Sequence, residues 1–347
     1  MKYSNLTYYL LAILCIVATS CVADGVMDEH SDYSENQEMV KDAQVSLVLN
    51  FAINNAETRA EVSNGEETEG EIDERRIKDV HIYAFQENSF KEEVKYISIF
   101  GTDGESTRTI QGRLTESYRS DKPVIFIVIA NGEEKKIITS EKPALNNQST
   151  PESLYKQLVF NYNDNNDWST YIPMAGSCTI NPLQEGDYNI AKLELTRAVA
   201  KVNVTVKGGK GLNDFRITQI KLCNYNTEGY CATDTSPYIP SNVAQSKTPI
   251  SSAIFEGKEG DKYENHIYIP EHKNIGADEG KQVYLEIDAI LKETVRKYRL
   301  PFTHNGKTHD VLRNYMYVFN IQSVTMYDLH YEVKKWEEIN IDVPSFD

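Results

Sequence analysis

The sequence predicts a mostly β protein of two tandem β-sandwich domains, on three observations. Its apolar residues fall in short runs rich in Val, Ile, Tyr and Phe, many alternating with polar neighbours, which is the period-two pattern of half-buried strands. With 347 residues and 40% hydrophobic content, the chain is long enough for two ordinary cores. The pattern also restarts. Residues 191–206 lead through the Gly-rich turn 207–211 into 215–225, as residues 45–53 lead through a polar tract into 77–85. That echo places a domain boundary near residue 190, between domains at 43–190 and 191–347. The formal charge of −16 leaves no basic stripe to neutralise phosphates, so no nucleic-acid partner is expected, and adsorption to an anionic membrane surface is disfavoured.

Ahead of the first domain, residues 1–20 have Lys2, an apolar run over about 10–18, and small residues before Cys21, the make-up of an export signal too short to span a bilayer. Ala18-Thr19-Ser20-Cys21 resembles the lipobox of bacterial lipoproteins, although Ala18 stands where Leu is usual. This implies lipidation at Cys21, with an ordinary signal cut nearby as the alternative. Residues 21–42 are polar and acidic without apolar periodicity, the composition of a disordered tether.

In the first strand, 44–53, Val45, Leu47, Leu49, Phe51 and Ile53 alternate with Ser46, Val48, Asn50 and Ala52, so one face is committed to a core. An acidic tract at 54–76 follows, carrying Arg59-Ala60 in its middle and Arg75 and Arg76 at its end. Strands are predicted at 77–85, 95–100, 107–114 and 123–131. The last is a near-continuous apolar run bounded by Pro123 and Asn131-Gly132, hence a central strand. Thr150-Pro151 supplies an N-cap and a first helical residue for a short helix near 151–158. In the second domain strands are read within 191–206, 215–225, 265–272, 281–291, 295–302, 315–324 and 329–343, with Asn305-Gly306 as a hairpin turn.

Little in the chain points to catalysis, and no enzymatic activity and no cofactor is expected. There is no H-E-x-x-H, G-x-S-x-G or Walker-type loop, and the Gly208–Gly211 stretch reads as a turn. His304 and His309 lack further ligands at zinc spacing. The acids around Asp164 and Asp167 lack the pattern of a calcium loop. Paired carboxylates of a β-sandwich glycosidase are a distant alternative. Besides Cys15 and Cys21, the chain has Cys178, Cys223 and Cys231. Cys223 and Cys231 either pair or remain buried thiols.

"YIPMAGSCTI", "LELTRAVAKVNVTV", "FRITQIKLCNY", "IYIPEH", "LRNYMYVFNI" and "YEVKKW", in that order, resemble the fimbrillins, the type V pilus subunits of Bacteroidetes. The resemblance implies two tandem transthyretin-like Greek-key β-sandwich domains in an outer-membrane lipoprotein. It implies cleavage by a trypsin-like, Arg-specific protease in the loop behind the first strand, here at Arg59-Ala60, and polymerisation with other pilus subunits into a cell-surface fimbria by strand exchange. Arg75 and Arg76 are competing sites that abut the next strand. The displaced strand is then that of Val45, Leu47, Leu49, Phe51 and Ile53, and the candidate donor is 331–343, with Tyr331, Val333, Ile339, Ile341 and Val343 alternating with polar residues. Completion of its own sandwich by 331–343 is the alternative reading. A lipid-retained anchor or a non-polymerising adhesin of the same fold is the alternative function.

Overall fold

The computed structural model describes residues 38–51, 71–162, 168–186, 189–208, 212–232, 248–251, 255, 262–304, 306–325 and 329–336. The first half carries β1 (Met39–Val40), β2 (Gln44–Phe51), β3 (Val80–Gln86), β4 (Ser89–Glu93), β5 (Lys95–Phe100), β6 (Thr107–Arg113), β7 (Tyr118–Arg119) and β8 (Val124–Ala130). After these come α1 (Pro151–Tyr155), β9 (Val159–Asn161), β10 (Met174–Ile180) and β11 (Asn189–Arg197). Two four-stranded layers, β4-β3-β8-β10 and β11-β2-β6-β5, face each other and are joined at one corner, where β10 and β11 pair at Met174↔Arg197 and Ala175↔Thr196. Gly176 sits at this corner because a Cβ there would lie 2.1 Å from the Glu194 carbonyl oxygen.

Between the layers, Val45, Leu47, Leu49, Ile110, Leu193 and Leu195 pack against Ile82, Ala84, Phe126, Val128 and Met174. The apolar run at 124–130 has a physical cause, since β8 is buried on both faces. Phe126 and Val128 enter this first core, while Ile127 and Ile129 enter a second one with Tyr83, Leu154 and Leu158. α1 is shorter than predicted but capped as expected, with the Ser153 amide donating to Thr150 Oγ1 at 3.2 Å.

The second half carries β12 (Val199–Lys207), β13 (Phe215–Cys223), β14 (Glu228–Tyr230), β15 (Thr248–Ser251), β16 (Lys262–Pro270), β17 (Tyr284–Leu291), β18 (Thr294–Pro301), β19 (Thr303–His304), β20 (Lys307–Thr308), β21 (Met316–Val324) and β22 (Leu329–Trp336). Its layers are β16-β12-β21-β22 and β15-β13-β17-β18, with Val202, Val204, Phe319 and Ile321 buried in one core with Phe215, Ile287 and Leu300. β19 pairs with β20 at Thr303↔Thr308 and His304↔Lys307, and Gly306 between them has the positive φ of 73° expected of a hairpin turn, while Asn305 lies outside the described residues. The repeat read in the sequence is topological. β2 lies between antiparallel β6 and parallel β11, and β12 lies between antiparallel β16 and parallel β21.

The two sandwiches are fastened by an antiparallel clasp of β9 and β14, with the Phe160 ring tilted at 52° against Trp168 at 5.0 Å between ring centroids. Three expectations are corrected. β11 belongs to the first sandwich, so the boundary falls at Ala198 rather than near 190. The fold begins before Ala43, because Met39 and Val40 pair with Arg119 and Tyr118 and Val40 is buried. The tract 54–76 ends in ordered structure, a 3-10 turn at Ile72–Arg75.

Candidate functional site

The site is the seat of β2 in the first sandwich. Val45, Leu47 and Leu49 are fully buried and Phe51 nearly so, while Val48 and Asn50 on the other face are half-exposed, as the alternation requires. Ile53 lies outside the described residues. β2 is central in its sheet. It pairs parallel with β11 from Val45↔Asn189 to Phe51↔Leu195 and antiparallel with β6 from Gln44↔Arg113 to Asn50↔Thr107. Removing it would strip both neighbours of backbone partners and open the first core along its length. At roughly 1.5–3 kcal/mol per large side chain, its four buried residues contribute on the order of 10 kcal/mol at most.

Both ends of the strand are tied. The Gln44 amide donates to the Gly186 carbonyl at 2.9 Å, and Asn189 Nδ2 donates to the Gln44 carbonyl at 3.0 Å and to that of Gln184 at 2.7 Å. Upstream, β1 rests on β7, where the buried Tyr118 hydroxyl donates to Glu92 Oε1 at 2.9 Å. Glu92 also accepts from Thr115 and Glu116 amides at 2.9–3.0 Å, so its buried carboxylate is well supplied with donors. At the far end the Phe51 amide reaches the Ser106 carbonyl at 3.3 Å. There the described residues break off, and Arg59-Ala60 lie outside them.

The chain returns at Glu71 into a charged clamp. Glu74 is buried and its Oε1 accepts from Lys201 Nζ at 2.6 Å, on β12, and from the Tyr268 hydroxyl, on β16. Arg197 Nε, at the end of β11, donates to the Glu74 carbonyl at 3.3 Å. Burial alone would raise the Glu74 carboxyl. The Lys201 ammonium, the hydrogen bonds from Lys201 and Tyr268, and Arg197 outweigh it and hold the group below the ordinary glutamate range. The sequence gives no local sign of this clamp, since a buried charge has no periodicity. Asn131 was legible only as a turn residue. In the structure it is fully buried at φ 59° and binds the backbone of Arg76, Lys78 and Ile172 at 2.8–2.9 Å.

The candidate donor divides. Tyr331 and Val333 lie on β22, paired in register with Ile321 and Phe319 of the same sandwich, whereas Ile339, Ile341 and Val343 lie outside the described residues. Cys21 and the acids around Asp164 are also outside them. Cys178, Cys223 and Cys231 form no disulfide, and burial pushes Cys231 up to about 12. Among the described residues no group of three or more potential ligands gathers for a metal ion, and no helix is long and apolar enough to cross a membrane.

Among solved structures, the fold is similar to the tip fimbrial protein Mfa3 from Porphyromonas gingivalis, at 15% identity and a TM-score of 0.51, covering 85% of this chain and 100% of that one. It is similar also to a fimbrial assembly protein from Parabacteroides distasonis, at 14% identity and a TM-score of 0.52, covering 85% and 96%. At such identities the likeness speaks to the fold alone. No curated protein sequence matches the chain. The family model of fimbrillin-A associated anchor proteins Mfa1 and Mfa2 matches residues 38–342. With that match over most of its length, carried on two fimbrial-type β-sandwiches, the chain belongs to the fimbrillin-A associated anchor protein family.

Proposed function

We propose that this protein is a structural subunit of a cell-surface fimbria, exported as an outer-membrane lipoprotein through Cys21, cut after Arg59 and polymerised by strand exchange in support of adhesion. The observation that carries the reading is the seat of β2: a central strand, buried on one face and paired on both edges, whose chain leads directly into the Arg59-bearing tract. A cut at Arg59 makes β2 noncovalent, and only another strand with the same alternation can refill the groove without leaving bare backbone groups. The incoming strand would run parallel to β11. Segment 331–343 is the donor: its first part, with Tyr331 and Val333, pairs with β21 in the isolated chain, and Ile339, Ile341 and Val343 extend the alternation toward a neighbour. Head-to-tail donation does not close on itself, so it builds a filament.

Limited digestion of the purified full chain by an Arg-specific, trypsin-like protease tests this. The expected product begins at Ala60 and gives ladders on an unboiled gel. A clean cut with the protein monomeric at high concentration would sink the polymerisation step. The matching family is described as one of anchor proteins, and this favours a second reading, a lipid-retained anchor that holds a fimbria at the outer membrane. In that case the chain isolated from cells keeps its lipid and the peptide before Arg59.

A further inference from the structure

The segment 54–76 contains three arginines, Arg59, Arg75 and Arg76, each followed by a bond of the kind a trypsin-like protease cuts. Such a protease must draw the arginine side chain into its specificity pocket and take hold of the backbone on both sides of the bond to be cut. At Arg76–Ile77 every one of those groups is already engaged. Asn131 Nδ2 donates to the Arg76 carbonyl at 2.8 Å, and the Ile77 amide donates to Asp103 Oδ1 at 3.0 Å. Asn131 Oδ1 accepts from the Lys78 amide at 2.8 Å, so a single side chain brackets the peptide bond from both sides. The Ile77 side chain is buried in the first core, and the Arg76 guanidinium pairs with Asp73 Oδ1 at 3.1 Å. Asp103 is itself fixed by Arg108 Nη1 at 3.2 Å. On the other side of the pair, Glu74 is pinned between Lys201 and Tyr268, which holds the 3-10 turn in which Arg75 lies.

We infer that Asn131, Asp103 and Glu74 form a splint that withholds the Arg75–Arg76 and Arg76–Ile77 bonds from proteolysis, so that processing of this segment is confined to Arg59. The inference rests on the processing reading above for the identity of Arg59, but the protection of Arg75 and Arg76 stands apart from it. Cleavage at a splinted bond needs local opening, and each hydrogen bond lost from the splint raises the open population by up to about tenfold.

The test is a time course of Arg-specific proteolysis on the folded full chain, with new N-termini read by mass spectrometry. The wild-type chain is expected to give no product beginning at Arg76 or Ile77. Over the same time course the Asp103→Ala and Asn131→Ala variants should each gain a product beginning at Ile77 that the wild type lacks, with cutting after Arg113 of β6 unchanged. Asp103 is half-exposed, and without it the Arg108 Nε keeps its bond to the Phe100 carbonyl at 3.0 Å, so its variant serves as the check should Asn131→Ala unfold. Products at Ile77 from the wild type, no gain in Asp103→Ala, or an equal gain at Arg113 would each overturn the splint. Absence of cutting at Arg59 together with protection at Arg76 would sink the processing reading and leave the splint standing.

Discussion

The Glu92 carboxylate takes the Tyr118 hydroxyl at 2.9 Å, and through that bond a residue of β4 fixes the strand on which Met39 and Val40 are laid. Glu92→Ala is expected to leave the Tyr118 hydroxyl and the Thr115 and Glu116 amides short of their acceptor. The cost should be about 2–4 kcal/mol, read as a lower urea midpoint at unchanged slope. Hydrogen exchange should quicken at 38–43 and stay slow in β17. Uniform quickening in both would mean that Glu92 supports the sandwich as a whole and not the entry of β2 in particular.

The alternation on β2 predicts an asymmetry between adjacent positions. Leu47→Ala and Leu49→Ala, fully buried, should each cost about 2–5 kcal/mol, because they remove transfer energy and leave a cavity. Val48→Ala, half-exposed on the outer face, should cost below about 1 kcal/mol. Equal losses at Leu47 and Val48 in urea titrations would contradict the burial seen here.

Glu74 makes the clamp pH-dependent in a definite direction. Its folded carboxyl titrates below the ordinary value of 4.5, so its stabilisation is complete above that value and is lost as pH falls through the folded one. Lys201→Met removes the largest lowering influence and strands a buried charge, which should cost about 3–5 kcal/mol at pH 7. The gap between variant and wild type should narrow as pH drops toward 4 and Glu74 takes up a proton. Urea midpoints across that range decide it, and a gap independent of pH would remove Glu74 from the explanation.

His81 runs the opposite way. Its Nδ1 lies 2.7 Å from Glu93 Oε1 and its Nε2 lies 3.1 Å from Glu133 Oε1, an arrangement that uses both ring nitrogens as donors. Burial works against the charged ring. The hydrogen bond and charge of Glu93, with Asp79 and Glu133, outweigh it and raise the group above 6.5. The stabilisation is therefore present below 6.5 and lost as pH rises through the folded value. His81→Gln should cost about 1 kcal/mol more at pH 6 than at pH 9.

What was legible in the sequence is what repeats locally. The strands at 95–100, 107–113 and 124–130 emerged because side-chain alternation or an unbroken apolar run marks them, and the Thr150 cap because its chemistry is confined to four residues. β4, β9 and β14 were among those missed. All three are short; β4, rich in Glu, pairs with its sequence neighbour β3, whereas β9 and β14 find their partner in each other, far along the chain. The boundary was misplaced for a related reason: β11 and β12 read as one continuous strand-forming stretch, and only their different neighbours distinguish them. The outline of β2 was visible because its alternation is strict. That it sits between a parallel and an antiparallel neighbour was not, since register belongs to pairs of strands. Asp103, Asn131 and Glu74 meet across more than twenty intervening residues, and no spacing rule connects them.

Only Ala198 separates β11 from β12, so a single extended run passes from beside β2 into the middle of the second sandwich. β2 runs parallel to β11, and β21 runs parallel to β12. A tensile load drawing β2 and β21 apart along the strand axes would therefore fall on these ladders in shear, with their hydrogen bonds strained together instead of being unzipped one at a time. The molecule is wired end to end by backbone, and its resistance to pulling does not depend on the side chains that fasten one sandwich to the other.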